Sequence, residues 1–448
     1  MPNMATETVG EQPTAQAPLD RAPPRWALLV LLCLALLIRG RVMLATRYSL
    51  ETDPDSYQSV AWRIYSTQSI AMWGPGAGAT TLTALRSPLY PLSLAAFRTL
   101  QLPMSAEACG LLHVFFGVAT VWGVWRLGQL WGLSVAGALL AAGLIAIDPI
   151  LLNQASQLTS DTLAALMAVL AMLALTRCGR TGSIRTALVA GAMCGLCILS
   201  RATFLSWFVV VLAWMALAVA GSRRIARVGA MAVAAAAVLA PWAIRNQSLF
   251  GWPVVTNTDG GYSLLVANNP QFYEYLRKAP WGATWEAEPF CREWYAFRLI
   301  EDTPNGPITH EVSNDMEAYE KAWENIRLEP DMFAYAALMR VGWLWGVLPH
   351  QTNSAESASR RGMRCAVAGW YVLELAAAVA GAWFLRKKLL AEPWVWGTLL
   401  LVCFTLVHAL YWTDLHMRAP LMSVVALFAA EGIVTLARRR RAPSAVPA

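Results

Sequence analysis

Ten apolar segments, separated by short polar ones, leave this chain few folds to choose from. They run over about 25–45, 107–127, 132–150, 156–176, 185–201, 203–221, 226–243, 366–385, 393–412 and 418–437. A helix crosses roughly 30 Å of hydrocarbon in about 17–25 such residues. Only 14% of the residues are charged, 57% are hydrophobic, and the mean hydropathy is +0.45. A soluble domain of this length would carry about a quarter charged residues. The sequence therefore predicts an all-α polytopic membrane protein.

Basic residues orient it. Arg177/Arg180/Arg185, Arg223/Arg224/Arg227, Arg386/Lys387/Lys388 and Arg438 to Arg441 all sit beside apolar spans. With ten crossings and residues 1–24 in the cytoplasm, every cluster falls inside, as the positive-inside tendency requires. Loops 46–106 and 244–365 then lie outside. Two further apolar stretches, 88–102 and 333–349, are short and carry Arg98 and Arg340. Counting either as a crossing misplaces basic clusters, so both are expected as half-buried helices along the outer membrane surface. The division that follows is a disordered tail (1–24), an N-terminal membrane module (25–243), a large outer loop (244–365), C-terminal membrane helices (366–437) and a basic tail (438–448).

The formal charge of +7 gives no reason to expect a nucleic-acid partner, because the basic residues are the ones that set orientation. Eight cysteines build no framework, and Cys194 and Cys197 form a CxxC inside an apolar span with no second pair, which fits small-residue packing better than a zinc site. Between Arg245 and Asp331 there are 14 acidic and 7 basic residues, half of the 28 acids in the chain. No internal repeat is visible, which disfavours transporters built from duplicated halves.

Asp53 and Asp55 stand within about ten residues of the end of the first apolar span, in Glu51-Thr52-Asp53-Pro54-Asp55-Ser56-Tyr57. Either acid can be a helix N-cap ahead of Tyr57, and either can take a proton from a hydroxyl or hold a metal ion. Arg39, Arg41, Arg86, Arg201, Arg245 and Arg418 gather at the outer ends of spans. One such arginine is usually a snorkelling side chain. Six on one side point to an anionic ligand, because guanidinium matches phosphate oxygens with a rigid fork of donors. Asp148 and Asp161 bracket one outer turn, as helix caps or as binding groups. His350, His408 and His416 also face outward, without metal-ligand spacing.

These residues resemble a known family. Asp53-Pro54-Asp55-Ser56-Tyr57 with Ala61 matches the acidic motif in the first outer loop of the bacterial dolichyl-phosphate-mannose–protein mannosyltransferase-like enzymes. Those enzymes share the GT-C fold with the lipid A aminoarabinose transferases. Arg86-Ser87-Pro88-Leu89-Tyr90-Pro91 follows the family's basic residue and Pro-Pro-Leu-Tyr-Pro, with Ser87 in place of the first proline. Leu199-Ser200-Arg201 stands at an Arg-Pro position, with Ala202 replacing the proline. Pro241 to Asn246, Gly260-Gly261-Tyr262 through Asn268-Asn269-Pro270, and Met417-Arg418-Ala419-Pro420 follow in order.

The resemblance implies a GT-C-like bundle in the cytoplasmic membrane, with its active site on the outer, periplasmic face. It also implies inverting transfer of a sugar from a polyprenyl-phosphate donor to a glycan, lipid or protein acceptor. Asp53 would be the base, with Asp55 the other candidate. The remaining acid would bind a divalent metal ion or orient Arg86. Arg86, Arg245 and Arg418 would contact phosphate, Arg201 would lie in the substrate site, and Tyr57 and Tyr90 would shape it. A lipid-linked-glycan transporter, with acids facing each other at the bilayer midplane, and a noncatalytic relative are the alternatives.

Overall fold

The computed structural model describes residues 25–73, 80–99, 105–218, 223–279, 285–296, 300–303, 306–349 and 356–441. The expected N-terminal tail, residues 442–448, Asn305 and His350 lie outside them.

Among the described residues six helices are long and apolar enough to cross a membrane: Trp26–Glu51, Ala106–Leu130, Asp161–Thr181, Arg224–Phe250, Ala358–Phe384 and Leu415–Arg440. Four shorter apolar helices accompany them, Val135–Ala146, Ile184–Ser200, Phe204–Ala218 and Val395–Leu410. Together they fall on the ten segments read from the sequence. Serines start several of them. Ser105, Ser134, Ser183 and Ser357 each accept a hydrogen bond from a first-turn amide, satisfying donors that have no intrahelical partner.

The bundle has an inside and an outside. Ala106–Leu130, Asp161–Thr181 and Leu415–Arg440 are 67–72% buried, whereas Trp26–Glu51, Arg224–Phe250 and Ala358–Phe384 are only 17–22% buried. The peripheral helices present bare Leu37, Leu373 and Val379, a surface suited to hydrocarbon. Small residues allow close helix contact where no hydrophobic effect operates. A Cβ on Gly381 would lie 1.9 Å from the Phe428 carbonyl, and one on Gly432 would lie 2.2 Å from that of Ala377. These two glycines seat Ala358–Phe384 directly against the last helix.

Between the apolar helices lie Tyr57–Thr67, the antiparallel pair Ala71–Trp73 and Thr80–Leu82, and Leu89–Thr99. A later segment carries Gly260–Ala267, Pro270–Lys278, Glu288–Ala296, Glu311–Leu328 and Pro330–Leu344. The last of these holds a surprise. Arg340 is fully buried and donates to the carbonyls of Ala267 and Ala409 at 2.5 and 2.9 Å. It pins this helix to its neighbours instead of reaching for the water surface. The eight cysteines are free thiols, and Cys194 and Cys197 are buried among apolar side chains.

Candidate active site at the outer face

Asp53 opens the site. Its Oδ2 accepts the Ser59 amide at 3.0 Å, so one oxygen does cap the Tyr57–Thr67 helix. Ser56, at the N-cap position, is in the left-handed region (φ 60°) and makes no side-chain cap of its own. The second carboxylate oxygen, Oδ1, is buried and has no hydrogen-bond partner. Burial raises the Asp53 pKa, against the lowering effect of the nearby amides. A carboxylate with one oxygen fixed and the other unpaired in a poorly hydrated place can accept a proton.

Asp55 does something else. Its Oδ1 lies 2.8 Å from Arg86 Nη2, and its carbonyl accepts Arg86 Nε at 3.1 Å. Arg86 Nη1 reaches Asp259 Oδ2 at 3.1 Å. One guanidinium thus joins the first outer loop to the second. Asp259 carried no signal in the sequence beyond the turn formed with Gly260, because its partner is 173 residues away.

Tyr57 is the hub on the other side. Its ring lies 5.8 Å from the Arg86 guanidinium carbon, and the Ser160 side chain lies near its hydroxyl. The next residue, Asp161, is buried and forms an ion pair with Arg201. It is the first residue of its helix, yet its carboxylate goes to Arg201 and not to capping. His416 joins the group, with Nδ1 3.0 Å from Asp414 Oδ1 and Nε2 3.8 Å from Asp161 Oδ2. Tyr90 packs edge-on against Tyr57, with ring centroids 5.0 Å apart. Its hydroxyl meets His113 Nε2 at 2.6 Å, while His113 Nδ1 meets the Ala155 carbonyl at 3.0 Å. Nδ1 must carry the proton to serve that carbonyl, so Nε2 accepts from Tyr90.

Not every expected arginine arrives. Arg86 and Arg201 flank Tyr57, but Arg245 donates to the carbonyls of Thr83 and Ile70 at 2.8 and 2.7 Å. It fastens the outer hairpin to the Arg224–Phe250 helix. Arg418 is fully buried over the Tyr371 ring, 4.2 Å from its centroid, and donates to the carbonyls of Leu344 and Gly346. Tyr371 in turn contacts both oxygens of Asp148 at 3.3 Å. Asp148 also caps Pro149–Gln154 through the Leu151 amide. Arg39 is buried as well and donates to the Ile145 carbonyl at 2.8 Å, while Arg41 is exposed. Long aliphatic stems let arginines at similar depth serve quite different partners.

A divalent ion needs several oxygen or nitrogen ligands around one point. Among the described residues no three His, Cys, Asp or Glu side chains come together in that way. Asp55 is already neutralised by Arg86. Among the described residues the donor set forms no cage for such an ion.

Residues 86–244 match the family model for dolichyl-phosphate-mannose-protein mannosyltransferase. Among solved structures, the archaeal oligosaccharyltransferase AglB from Archaeoglobus fulgidus, in complex with an inhibitory peptide and a dolichol-phosphate, is similar over 95% of this chain and 52% of its own. The TM-score is 0.55 at 13% identity. A second structure of the Archaeoglobus fulgidus oligosaccharyltransferase, tethered with an acceptor peptide, has a TM-score of 0.53 at 14% identity, over 93% and 50% of the two chains. ArnT from Cupriavidus metallidurans, bound to undecaprenyl phosphate, aligns with a TM-score of 0.43 at 13% identity, over 93% of this chain and 79% of that one. Comparison with curated proteins found no match. The chain spans about half the length of the archaeal structures. It shares their helical membrane fold, and residues 86–244 are similar to the mannosyltransferase family model.

Proposed function

We propose that this protein is a membrane glycosyltransferase of the cytoplasmic membrane. It moves a sugar from a polyprenyl-phosphate donor to a hydroxyl acceptor at the outer face, with inversion at the anomeric carbon. The observation that carries the reading is the buried, unpartnered Oδ1 of Asp53, two residues from Asp55 in the Asp55–Arg86–Asp259 cluster. The family match and the shared fold support it, as does the dolichol-phosphate held by the archaeal enzyme.

In this scheme the acceptor oxygen attacks the anomeric carbon as the bond from that carbon to the phosphate oxygen breaks. The bonding pair leaves with the lipid phosphate, and the acceptor proton passes to Asp53 Oδ1. A phosphate leaves readily as an anion, so one base suffices where a hydrolase needs two carboxylates. Arg86 and Arg201 steady the charge developing on the departing phosphate, which counts for more where water is scarce. Arg245 positions the scaffold through two backbone carbonyls, whereas Arg418 donates to Leu344 and Gly346 through Nη1 and keeps Nε and Nη2 buried without a hydrogen-bond partner.

The test uses the full chain in lipid nanodiscs with labelled polyprenyl-phosphate sugars. Wild type should transfer label, and Asp53→Asn should lose about 10²–10⁴ of the rate. Asp55→Asn should lose less, because it acts through Arg86. Transfer surviving in the double variant overturns the assigned base. A folded wild type that uses none of the donors overturns the activity.

A further inference from the structure

A cavity of about 410 Å³ lies against the first outer loop, within the range of about 300–1,000 Å³ typical of small-molecule sites. Its polar lining comes from Tyr48, Ser49, Thr52, Gln157 and Thr159, and no charged side chain lines it. Both walls lead to the candidate catalytic groups. Thr52 and Pro54, on one wall, flank Asp53; Leu158 and Thr159, on the other, run straight into Ser160 and Asp161. The charged groups of the site, Asp55, Arg86 and Asp259, are bound to one another and contribute nothing to this lining.

The chemistry of the lining is specific. The Thr52 hydroxyl donates to the Ser49 carbonyl at 2.9 Å, and the Thr159 hydroxyl donates to Gln154 Oε1 at 3.0 Å. With their protons committed, both oxygens offer lone pairs to the cavity, and they suit ligands that donate O–H groups. The Gln157 amide can give and take. Pro54 and Leu158 add apolar surface for a C–H face. Among the described lining residues there is no guanidinium or carboxylate to match a charged ligand, and the neighbouring Arg47 guanidinium is engaged with the Tyr48 hydroxyl at 3.4 Å.

We infer that this cavity is the acceptor subsite and that it takes a neutral, polyhydroxylated acceptor, a glycan and not a charged headgroup or a peptide. The inference rests on the glycosyltransferase reading for the word acceptor. The binding of a neutral sugar can be tested apart from it.

Saturation-transfer NMR on the full chain in nanodiscs would use methyl mannopyranoside and methyl glucopyranoside as probes, with methyl glucuronide and a capped Ser-containing tripeptide alongside. The neutral glycosides should give signal in wild type and equally in Asp53→Asn, whatever becomes of transfer. Gln157→Ala should weaken binding at least tenfold. Ser49→Trp, at an exposed position, should abolish it by filling the space while the melting temperature stays at the wild-type value. The inference is overturned by a folded wild type that binds neither neutral glycoside, by stronger binding of the glucuronide or the peptide, or by glycoside binding that persists in both cavity variants. If the glycosides bind but no donor is ever used, the subsite stands as a sugar site and the transferase reading falls.

Discussion

Arg86 holds Asp55 at 2.8 Å with one nitrogen and Asp259 at 3.1 Å with another, bridging two outer loops 173 residues apart. All three side chains are 20–38% exposed, so solvent screens the pairs and their value lies in geometry more than in stability. Arg86→Ala should cut transfer more than tenfold and change the melting temperature little. Arg86→Lys should recover part of the rate only, since an ammonium cannot fork between two carboxylates. Transfer assays and thermal melts on the same preparations separate the two effects.

Burial holds the Asp53 carboxyl above its ordinary value of 3.8. A raised pKa favours the protonated form in the folded state. Its contribution to stability is therefore present at pH below the unfolded value and fades as pH rises through the folded one. Activity runs the opposite way, because the base must be ionised. The acid limb of kcat/KM should rise with an inflection above 3.8 and should vanish in the residual activity of Asp53→Asn. A limb at or below 3.8 would place the base elsewhere.

Tyr90 and His113 share a 2.6 Å hydrogen bond in a fully buried setting. Tyr90→Phe leaves His113 Nε2 without its donor, a loss of about 1–3 kcal/mol. The expected reading is a lowered melting temperature together with reduced transfer, as Tyr57 loses a fixed neighbour. Unchanged stability would show that Nε2 finds another partner.

Arg245 and Arg201 provide a contrast. Arg245→Ala strands the Thr83 carbonyl, while that of Ile70 keeps the Thr83 amide, and should destabilise the hairpin. At temperatures where the variant stays folded, its KM for the polyprenyl-phosphate donor should match wild type. Arg201→Ala should instead raise that KM or lower kcat. Donor titrations on both variants decide whether the two arginines have been assigned to the right jobs.

The ten apolar segments and the acidic motif after the first span were legible in the sequence. Each depends on residues near one another in the chain, and hydrocarbon permits a backbone of this composition little except helix. The two glycine-led and asparagine-led segments of the second outer loop were visible only as turns. Gly261 lies in the first turn of a helix, where a Cβ would meet the Asp315 carbonyl at 2.0 Å, and Asn269 caps the next one. The first contact has no local signature, since Asp315 is distant in the chain; the second has one in Asn269 followed by Pro270.

Which arginines serve the site was decided by the fold. Arg39, Arg86, Arg201, Arg245 and Arg418 look alike in sequence, each at the outer end of a span. A guanidinium spends its donors on whatever acceptors lie within reach, and those are fixed by helix packing. Carbonyls near helix ends claimed Arg39 and Arg418, those flanking the hairpin claimed Arg245, and carboxylates distant in the chain claimed Arg86 and Arg201. Composition set the apolar helices; only the packed bundle chose the partners.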